Sequence, residues 1–448
     1  MLMLTNANKW AIASRNRIFC TTFALYRKKM RYEITAPKKF DATIKLPASK
    51  SISNRALIIH ALSHGSIMPR HLSDCDDTEV MINALRDMPD TIDIKAAGTA
   101  MRFLTAYLSV AEGEEHVITG TERMKHRPIA ILVDALRYLG ADISYEGEEG
   151  YPPLRIKGKT LEGGHIEITG SVSSQYISAL LMIGPALKNG LELKMTGNIA
   201  SRPYIDLTLW MMREFGAEAE WSDIDTVTVK PTPYRQHDYF IESDWSAASY
   251  WYEILALCGD SESCFNLDGL MDGSKQGDSV VRYIFSLMGI KSTFHDKNDD
   301  VPTTVRIQQK LPCHLPRLDY DFISSPDLAQ TIVVACAVLE IPFKFTGLAS
   351  LKIKETDRIE ALKRELRKLG YVLRDENDDT LIWDGARCEP TFEPIDTYED
   401  HRMAMAFAPA AIKFPGLRIN NPEVVSKSYP HFWEDLKQAG FEIRETNN

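Results

Sequence analysis

Arg358-Ile-Glu-Ala-Leu-Lys-Arg-Glu-Leu-Arg-Lys-Leu-Gly370-Tyr-Val-Leu373 reads as a one-sided helix that a glycine stops and turns straight into a strand. Ile359, Leu362, Leu366 and Leu369 share one face, with Lys, Arg and Glu elsewhere, so the helix covers a core from outside. Gly370 is the left-handed cap that ends it. The same step recurs at Leu139-Gly140-Ala-Asp-Ile143, Phe215-Gly216-Ala-Glu-Ala219, Met288-Gly289-Ile-Lys-Ser292 and Ala439-Gly440-Phe-Glu-Ile443, with the glycines 70 to 81 residues apart. Asp77–Met88 makes a sixth such helix, ending at Pro89 instead.

A second helix type alternates with the first. It opens on a polar, hydroxyl-rich turn and continues in small apolar residues, starting near Ser51, Thr99, Ser173, Ser246, Ser325 and Asp400. Gln175–Ile183 and Ala329–Ala337 are apolar nearly all round, which places them inside. Segments such as His165–Thr169 and Leu191–Met195 alternate as strands. The periodicity predicts an α/β chain of six units of about 70 residues, each with one buried and one covering helix. Three and three make two pseudo-symmetric domains with a cleft between them. The buried helices then point their N-termini to one common end, which suits anions.

At 448 residues with 44% hydrophobic and 25% charged residues, the composition is that of a globular protein of two or three domains. Net charge is −10, which argues against a nucleic-acid partner. The longest apolar runs are too short to cross a membrane. Seven scattered cysteines with no C-x-x-C spacing suit a reducing compartment, so a cytoplasmic protein is expected. Residues 1–29 hold six Lys and Arg and no acid, and lie outside the repeat. That composition fits an organellar presequence. The simpler expectation is a start upstream of the true first residue, Met30.

The residues with chemistry sit at helix starts. Leu46-Pro-Ala-Ser-Lys-Ser-Ile-Ser-Asn-Arg55 puts Ser49, Lys50, Ser51 and Ser53 at the unpaired N–H groups of a first helical turn, with Arg55 one turn on. Ala97-Gly98-Thr99-Ala-Met-Arg102, Lys125-His-Arg127-Pro128, Lys354-Glu355-Thr-Asp-Arg358 and Asp400-His401-Arg402, with Lys427 further on, repeat that placement. Any one alone is an ordinary solvated surface. Asp327, in Ser325-Pro-Asp-Leu, has a plain reading as a helix cap, and Glu355 as an ion pair with Arg358. In a shared cleft, two acids in different surroundings split acid and base roles.

LPASKSISNRAL (46–57), AAGTAMR (96–102), RMKHRP (123–128), GSVSSQ (170–175), SRPY (201–204), SPDLA (325–329), KETDR (354–358) and EDHRMAMAF (399–407) together resemble the 3-phosphoshikimate 1-carboxyvinyltransferase (EPSP synthase) family. The resemblance runs in order from about residue 31 to the C-terminus. It implies the enolpyruvyl transferase fold, two domains of three βαβαββ units with buried parallel helices. Domain I would be 30–49 plus 242–448, domain II 50–241, and 1–29 an extension outside the fold. It implies transfer of the enolpyruvyl group of phosphoenolpyruvate to the 5-hydroxyl of shikimate 3-phosphate, releasing phosphate, in the shikimate pathway to chorismate and aromatic amino acids. No cofactor and no metal are implied, and the partners are the two small-molecule substrates, with a monomer expected.

Carried over by resemblance, the shikimate 3-phosphate site is Lys50, Ser51, Arg55, Ser173, Ser174, Gln175, Ser201, Tyr204, Asp327, Ser350 and Lys354. The phosphoenolpyruvate site is Lys50, Gly98, Arg127, Gln175, Arg358, Arg402 and Lys427. Glu355 would be the acid toward C3 of the enolpyruvyl group and Asp327 the base toward the hydroxyl, with Lys50 assisting. Glyphosate would compete at the phosphoenolpyruvate site, where Gly98 leaves room near the backbone. Three positions depart from the family's pattern: Ala96 and Ser350 stand where Asn is usual, and Phe103 where Pro is frequent. The nearest rival is the UDP-N-acetylglucosamine 1-carboxyvinyltransferase family, which carries a Cys five residues before the Arg-Pro step; here that residue is Glu122.

Because residues 1–29 share no periodicity with the repeat, a chain starting at Met30 should keep its folding and turnover. A melting temperature several degrees lower in the shortened chain would show instead that the segment packs onto the core.

Overall fold

A computed structural model of the chain describes residues 30–296 and 301–446, so the expectation about residues 1–29 lies outside the described part. The chain starts as two strands, β1 (Arg31–Thr35) and β2 (Asp41–Lys45), and then runs through alternating helices. The first half holds α1 (Lys50–Leu62), α2 (Asp76–Asp87), α3 (Gly98–Val110), the short α4 (Glu122–Lys125), α5 (Ala130–Tyr138), α6 (Ser174–Ile183) and α7 (Arg202–Glu214). The second holds α8 (Trp245–Cys258), α9 (Val281–Leu287), α10 (Ala329–Val338), α11 (Arg358–Lys368), α12 (His401–Phe407) and α13 (Phe432–Gln438).

Two helix types alternate as the periodicity predicts. Helices α6, α8, α10 and α12 bury nearly every residue, and α1 and α3 most of theirs. Helix α11 buries Ile359, Leu362 and Leu366 and turns its other face outward. The capping glycines Gly140, Gly216, Gly289, Gly370 and Gly440 have φ between 83° and 102°, a region that costs other residues dearly. Helix α2 lacks that glycine, and Met88 takes the left-handed cap at φ 39°.

The strands follow one repeated pattern, a parallel first pair and two antiparallel ones. It appears in β3-β4-β6-β5 (Thr91–Asp93, Glu115–Thr119, Leu154–Lys157, Asp142–Tyr145). It recurs in β7-β8-β10-β9 (Gly164–Thr169, Leu191–Thr196, Thr226–Val229, Ala219–Trp221). The third copy is β14-β15-β17-β16 (Leu318–Asp321, Phe343–Thr346, Thr380–Trp383, Arg374–Glu376). In two further sheets the N-terminal strands fill a place. β2 is the parallel edge beside β11 (Cys264–Leu270), followed by β13 (Thr303–Gln309) and β12 (Ile290–Phe294). β1 lies between β18 (Leu417–Asn420) and β19 (Glu442–Thr446), and a parallel bridge from Ile395 to Ile419 supplies the outer position.

The sixth unit, around α1 and α2, keeps only isolated bridges, Ala48 to Ser243 and Arg70 to Phe240. Pro69, Pro231 and Pro233 lie in the segments that would pair there, and proline cannot donate to a ladder.

Two hydrophobic cores result. One gathers residues from Ile34 to Leu46 and from Trp245 to Phe441, the other from Ala48 to Ile241. The chain passes between them twice, and the two passages lie side by side. Ser49 N–H donates to Glu242 C=O at 2.9 Å, and Asp244 N–H to Pro47 C=O at 2.9 Å.

Glu253 breaks the apolar pattern of α8. It is fully buried, and neither carboxylate oxygen has a partner among the described residues. Burial pushes its pKa well above 4.5, so the folded chain holds a proton there that the unfolded chain releases. The stability this proton carries is complete below the unfolded value and is lost as pH rises through the folded one. Glu253→Leu, of similar volume, should stabilise the protein by about 1–3 kcal/mol near neutral pH. The gain should be larger at about pH 8 than at about pH 5 by urea denaturation, because the variant no longer takes up the proton.

Candidate active site

The N-terminal ends of all six buried helices line one cleft between the two cores. Lys50 and Ser51 come from α1, Gly98, Thr99 and Arg102 from α3, and Ser173, Ser174 and Gln175 from the start of α6. The other half brings Asp244, Ser246 and Tyr250 of α8, Asp327 ahead of α10, and His401 and Arg402 of α12. Orphan N–H groups and aligned peptide dipoles make such ends positive. Seven Lys and Arg line the cleft against four carboxylates, so the site carries an excess of positive charge.

Sixteen of the seventeen predicted residues line this cleft; the exception is Lys427. It reaches in through Glu355, donating from Nζ to Oε1 at 2.7 Å. Gln175 is fixed by a 3.0 Å bond from Nε2 to the hydroxyl of Thr99. Arg55 is more deeply engaged than a ligand-binding arginine needs to be. Its Nε donates to Thr208 at 2.7 Å, Nη1 to Ser51 C=O at 2.9 Å and Nη2 to Ser178 at 3.0 Å. One hydrogen on each terminal nitrogen is left for a ligand. Its guanidinium lies 5.3 Å from the ring centre of Phe103 and 5.9 Å from that of Tyr204. Phe103 thus packs in the core beneath Arg55.

The acids and cations form one network centred on buried Arg358. Its Nε donates to Asp400 at 2.6 Å, Nη2 to Glu355 at 2.9 Å and Nη1 to Asp327 at 3.2 Å. Arg402 meets the second oxygen of Asp327 at 3.1 Å, and Lys354 lies 3.7 Å from the first. Asp400 also caps α12 by accepting from Arg402 N–H at 2.9 Å. Burial opposes ionisation of both acids, but the cations win. Arg402, Lys354 and Arg358 hold the Asp327 carboxyl below the usual carboxylate range, and Lys427 and Arg358 do the same for Glu355. Burial drives the His401 imidazole well below its ordinary value, with Lys50 adding to that, so it is neutral.

Three acids of the site were not singled out from the sequence as site residues. Asp77 faces Lys50 at 3.4 Å. Burial disfavours the Lys50 ammonium and is the largest single influence on it, yet Asp77, Cys75 and Glu355 together outweigh it and the pKa is raised. Asp400 holds Arg358, as above. Asp278, behind the cleft, accepts from the Ser246 hydroxyl and is pushed up to about 7 by burial, with Asp327 adding to the rise. The run Asp74-Cys-Asp-Asp77 at a helix start was the available signal for Asp77.

A Cβ on Gly98 would stand 2.6 Å from the guanidinium nitrogens of both Arg102 and Arg127. A methyl there displaces Arg127, so it acts through a cation of the site as well as by narrowing the space. The two halves touch across the cleft. Arg123 pairs with Glu399 at 2.6 Å, Ser426 donates to Asp76 at 2.6 Å, His431 meets Asp74 at 3.0 Å, and Ser201 N–H donates to Ile323 C=O at 2.8 Å.

The EPSP synthase (3-phosphoshikimate 1-carboxyvinyltransferase) family model matches residues 34–93 and 87–436. The chain belongs to this family. It is 59% identical to the 3-phosphoshikimate 1-carboxyvinyltransferase of Bacteroides fragilis over 416 residues, 93% of this chain and 99% of that one. The enzyme of the same name from Aliivibrio fischeri is 37% identical over 428 residues, 89% of this chain and 97% of the other. Among solved structures, EPSP synthase from Acinetobacter baumannii superposes with a TM-score of 0.73 at 22% identity, over 93% of this chain and 100% of that one, which establishes the enolpyruvyl transferase fold. Among the described residues, no helix is long and apolar enough to cross a membrane.

Arg358 bonds three carboxylates at once, so removing its charge leaves them buried and facing one another. Arg358→Met should cost about 3–5 kcal/mol of stability. Chemical denaturation of the two proteins side by side measures it, and a loss below about 1 kcal/mol would mean that the network is not held by this residue.

Proposed function

We propose that the chain transfers the enolpyruvyl group of phosphoenolpyruvate to the 5-hydroxyl of shikimate 3-phosphate. The products are 5-enolpyruvylshikimate 3-phosphate and inorganic phosphate. The observation that carries this reading is one cleft, in a member of the EPSP synthase family, that gathers seven cations and six helix N-termini around two carboxylates. Two phosphates and two carboxylates have to meet in this reaction. A cation and an anion about 4 Å apart gain roughly 4 kcal/mol at an effective dielectric near 20, so fixed cations offset the repulsion between the ligands.

In this reading shikimate 3-phosphate lies against Ser173, Ser174, Gln175, Ser201 and Tyr204 on one side and Ser350 and Lys354 on the other. Lys50, Ser51, Arg55 and Asp327 close around it. Phosphoenolpyruvate lies between Lys50, Gly98, Arg127 and Gln175 of one half and Arg358, Arg402 and Lys427 of the other. The two halves are domains I (30–49 and 242–448) and II (50–241), a division that the two separate cores support. The protein acts as a monomer in the cytoplasm.

Asp327, held ionised by three cations, is suited to draw the proton from the 5-hydroxyl as its oxygen adds to C2. Glu355 delivers a proton to the C3 methylene, which needs it protonated, although in the free protein Lys427 and Arg358 hold it ionised. Phosphoenolpyruvate supplies anions that compete for those two cations, so its arrival raises the proton affinity of Glu355. The tetrahedral intermediate then returns a C3 proton to the Glu355 carboxylate and expels phosphate, which takes up the proton held by Asp327, and the double bond is restored. Lys50, kept charged beside Asp77, stabilises the developing charge.

A phosphate-release assay tests the reaction. Phosphoenolpyruvate with shikimate 3-phosphate should release phosphate, whereas UDP-N-acetylglucosamine as acceptor should release none. Glu355→Gln and Asp327→Asn should each lower kcat by about 10²–10⁴ while substrate binding changes far less. Near-normal kcat in either variant would remove that residue from its role.

A further inference from the structure

Lys427 belongs to a block of chain that is rigid on its own half. After Asn421 in a left-handed turn, Pro422–Lys427 form a short 3-10 segment, and Val425 C=O accepts from Tyr429 N–H at 2.8 Å. The buried Trp433 ties the block down by donating to Pro422 C=O at 2.8 Å. The Tyr429 hydroxyl donates to Asp435 at 2.7 Å. A block so braced moves as a unit.

Two contacts fasten this unit to the opposite half, and both go to the acidic run that opens α2. Ser426 donates to Asp76 Oδ2 at 2.6 Å, a short bond for a hydroxyl on a carboxylate. Five residues on, His431 Nε2 meets Asp74 Oδ2 at 3.0 Å. In the same run, Asp77 holds Lys50. One four-residue stretch therefore touches Lys50 directly and reaches Lys427 through its neighbours.

We infer that Asp76, with Asp74, is a positioning residue for phosphoenolpyruvate, clamping the Lys427 block against the other half so that cations from both halves stand at the right separation. The inference rests on the assignment of Lys427 to the phosphoenolpyruvate site. The shikimate 3-phosphate end has its own fastening, the bond from Ser201 N–H to Ile323 C=O. Loss of the Asp76 clamp therefore acts at one end of the cleft and not the other.

Steady-state kinetics on the full chain decide it, with Asp76→Asn, Ser426→Ala, their double variant and Lys427→Ala as control. Asp76→Asn and Ser426→Ala should each raise KM for phosphoenolpyruvate by about threefold to tenfold, the worth of one hydrogen bond. KM for shikimate 3-phosphate and the melting temperature should hold. The double variant should be no worse than the poorer single one, because both remove the same bond. Asp74→Asn should act in the same direction and more weakly, since its bond to His431 is longer, at 3.0 Å, and the imidazole is further out in solvent. An unchanged KM, an equal rise for both substrates, or additive losses in the double variant would each overturn the clamp. If Lys427→Ala itself left KM for phosphoenolpyruvate unchanged, the fault would lie with the placement of that substrate, not with the clamp.

Discussion

Everything in the cleft depends on the Arg358 guanidinium, which satisfies Asp327, Glu355 and Asp400 together. Three carboxylates this close, Asp400 buried and the other two half-buried, would otherwise take up protons or push the helices apart. With Arg358 among them, α10, α11 and α12 bring their N-terminal ends together at one place, and the Asp400 oxygen that takes the longer Arg358 bond also caps α12. The same arrangement explains a tension in the chemistry. A site for two polyanions needs many cations, and before the ligands arrive those cations need other anions. Asp327 and Glu355 fill that place here, and in the proposed reaction the ligands would release them from it.

Much of this was legible in the chain. Glycine caps and all-apolar helices report backbone conformation and burial directly, so the six units and the alternation of helix types could be read residue by residue. The sixth sheet could not. Its reduction to two bridges follows from prolines in segments that looked like ordinary connections. The site divided in a similar way. Cations at helix starts stood out because the pattern repeats, whereas Asp400 and Asp77 were no more than the first residues of helices. What makes Asp400 part of the network is Arg358, 42 positions away, and no local pattern carries that pairing. Arg55 was legible as a cation of the site, but its bonds to Ser178 and Thr208 come from two other helices. Phe103 stood out as a departure from the family's pattern, and the structure puts its ring under Arg55.

The two chain passages beside each other at Leu46–Ser49 and Ile241–Asp244 are the covalent side of the same design. Two strands bonded to one another allow the halves to change their separation while keeping Lys50, the first residue past one passage, at the seam. Across the cleft, apart from the backbone bond of Ser201 to Ile323, the contacts are side-chain bonds such as Arg123 with Glu399, whose exposed groups are weak enough to part.

The placement of β1 sets the order in which the protein can be built. Its partners β18 and β19 end the described chain, some 385 to 415 positions downstream by the register Arg31 to Asn420 and Arg31 to Thr446. During synthesis at the ribosome the core between Ala48 and Ile241 has all its residues as soon as that stretch emerges. The other core has its first two strands in hand from the outset: β2 waits for β11, and β1 for β18 and β19. A strand waiting as long as β1 is exposed to wrong pairings. Its Arg31, Tyr32, Glu33, Ile34 and Thr35 bury only Ile34 fully, a composition that limits the hazard while the chain is incomplete.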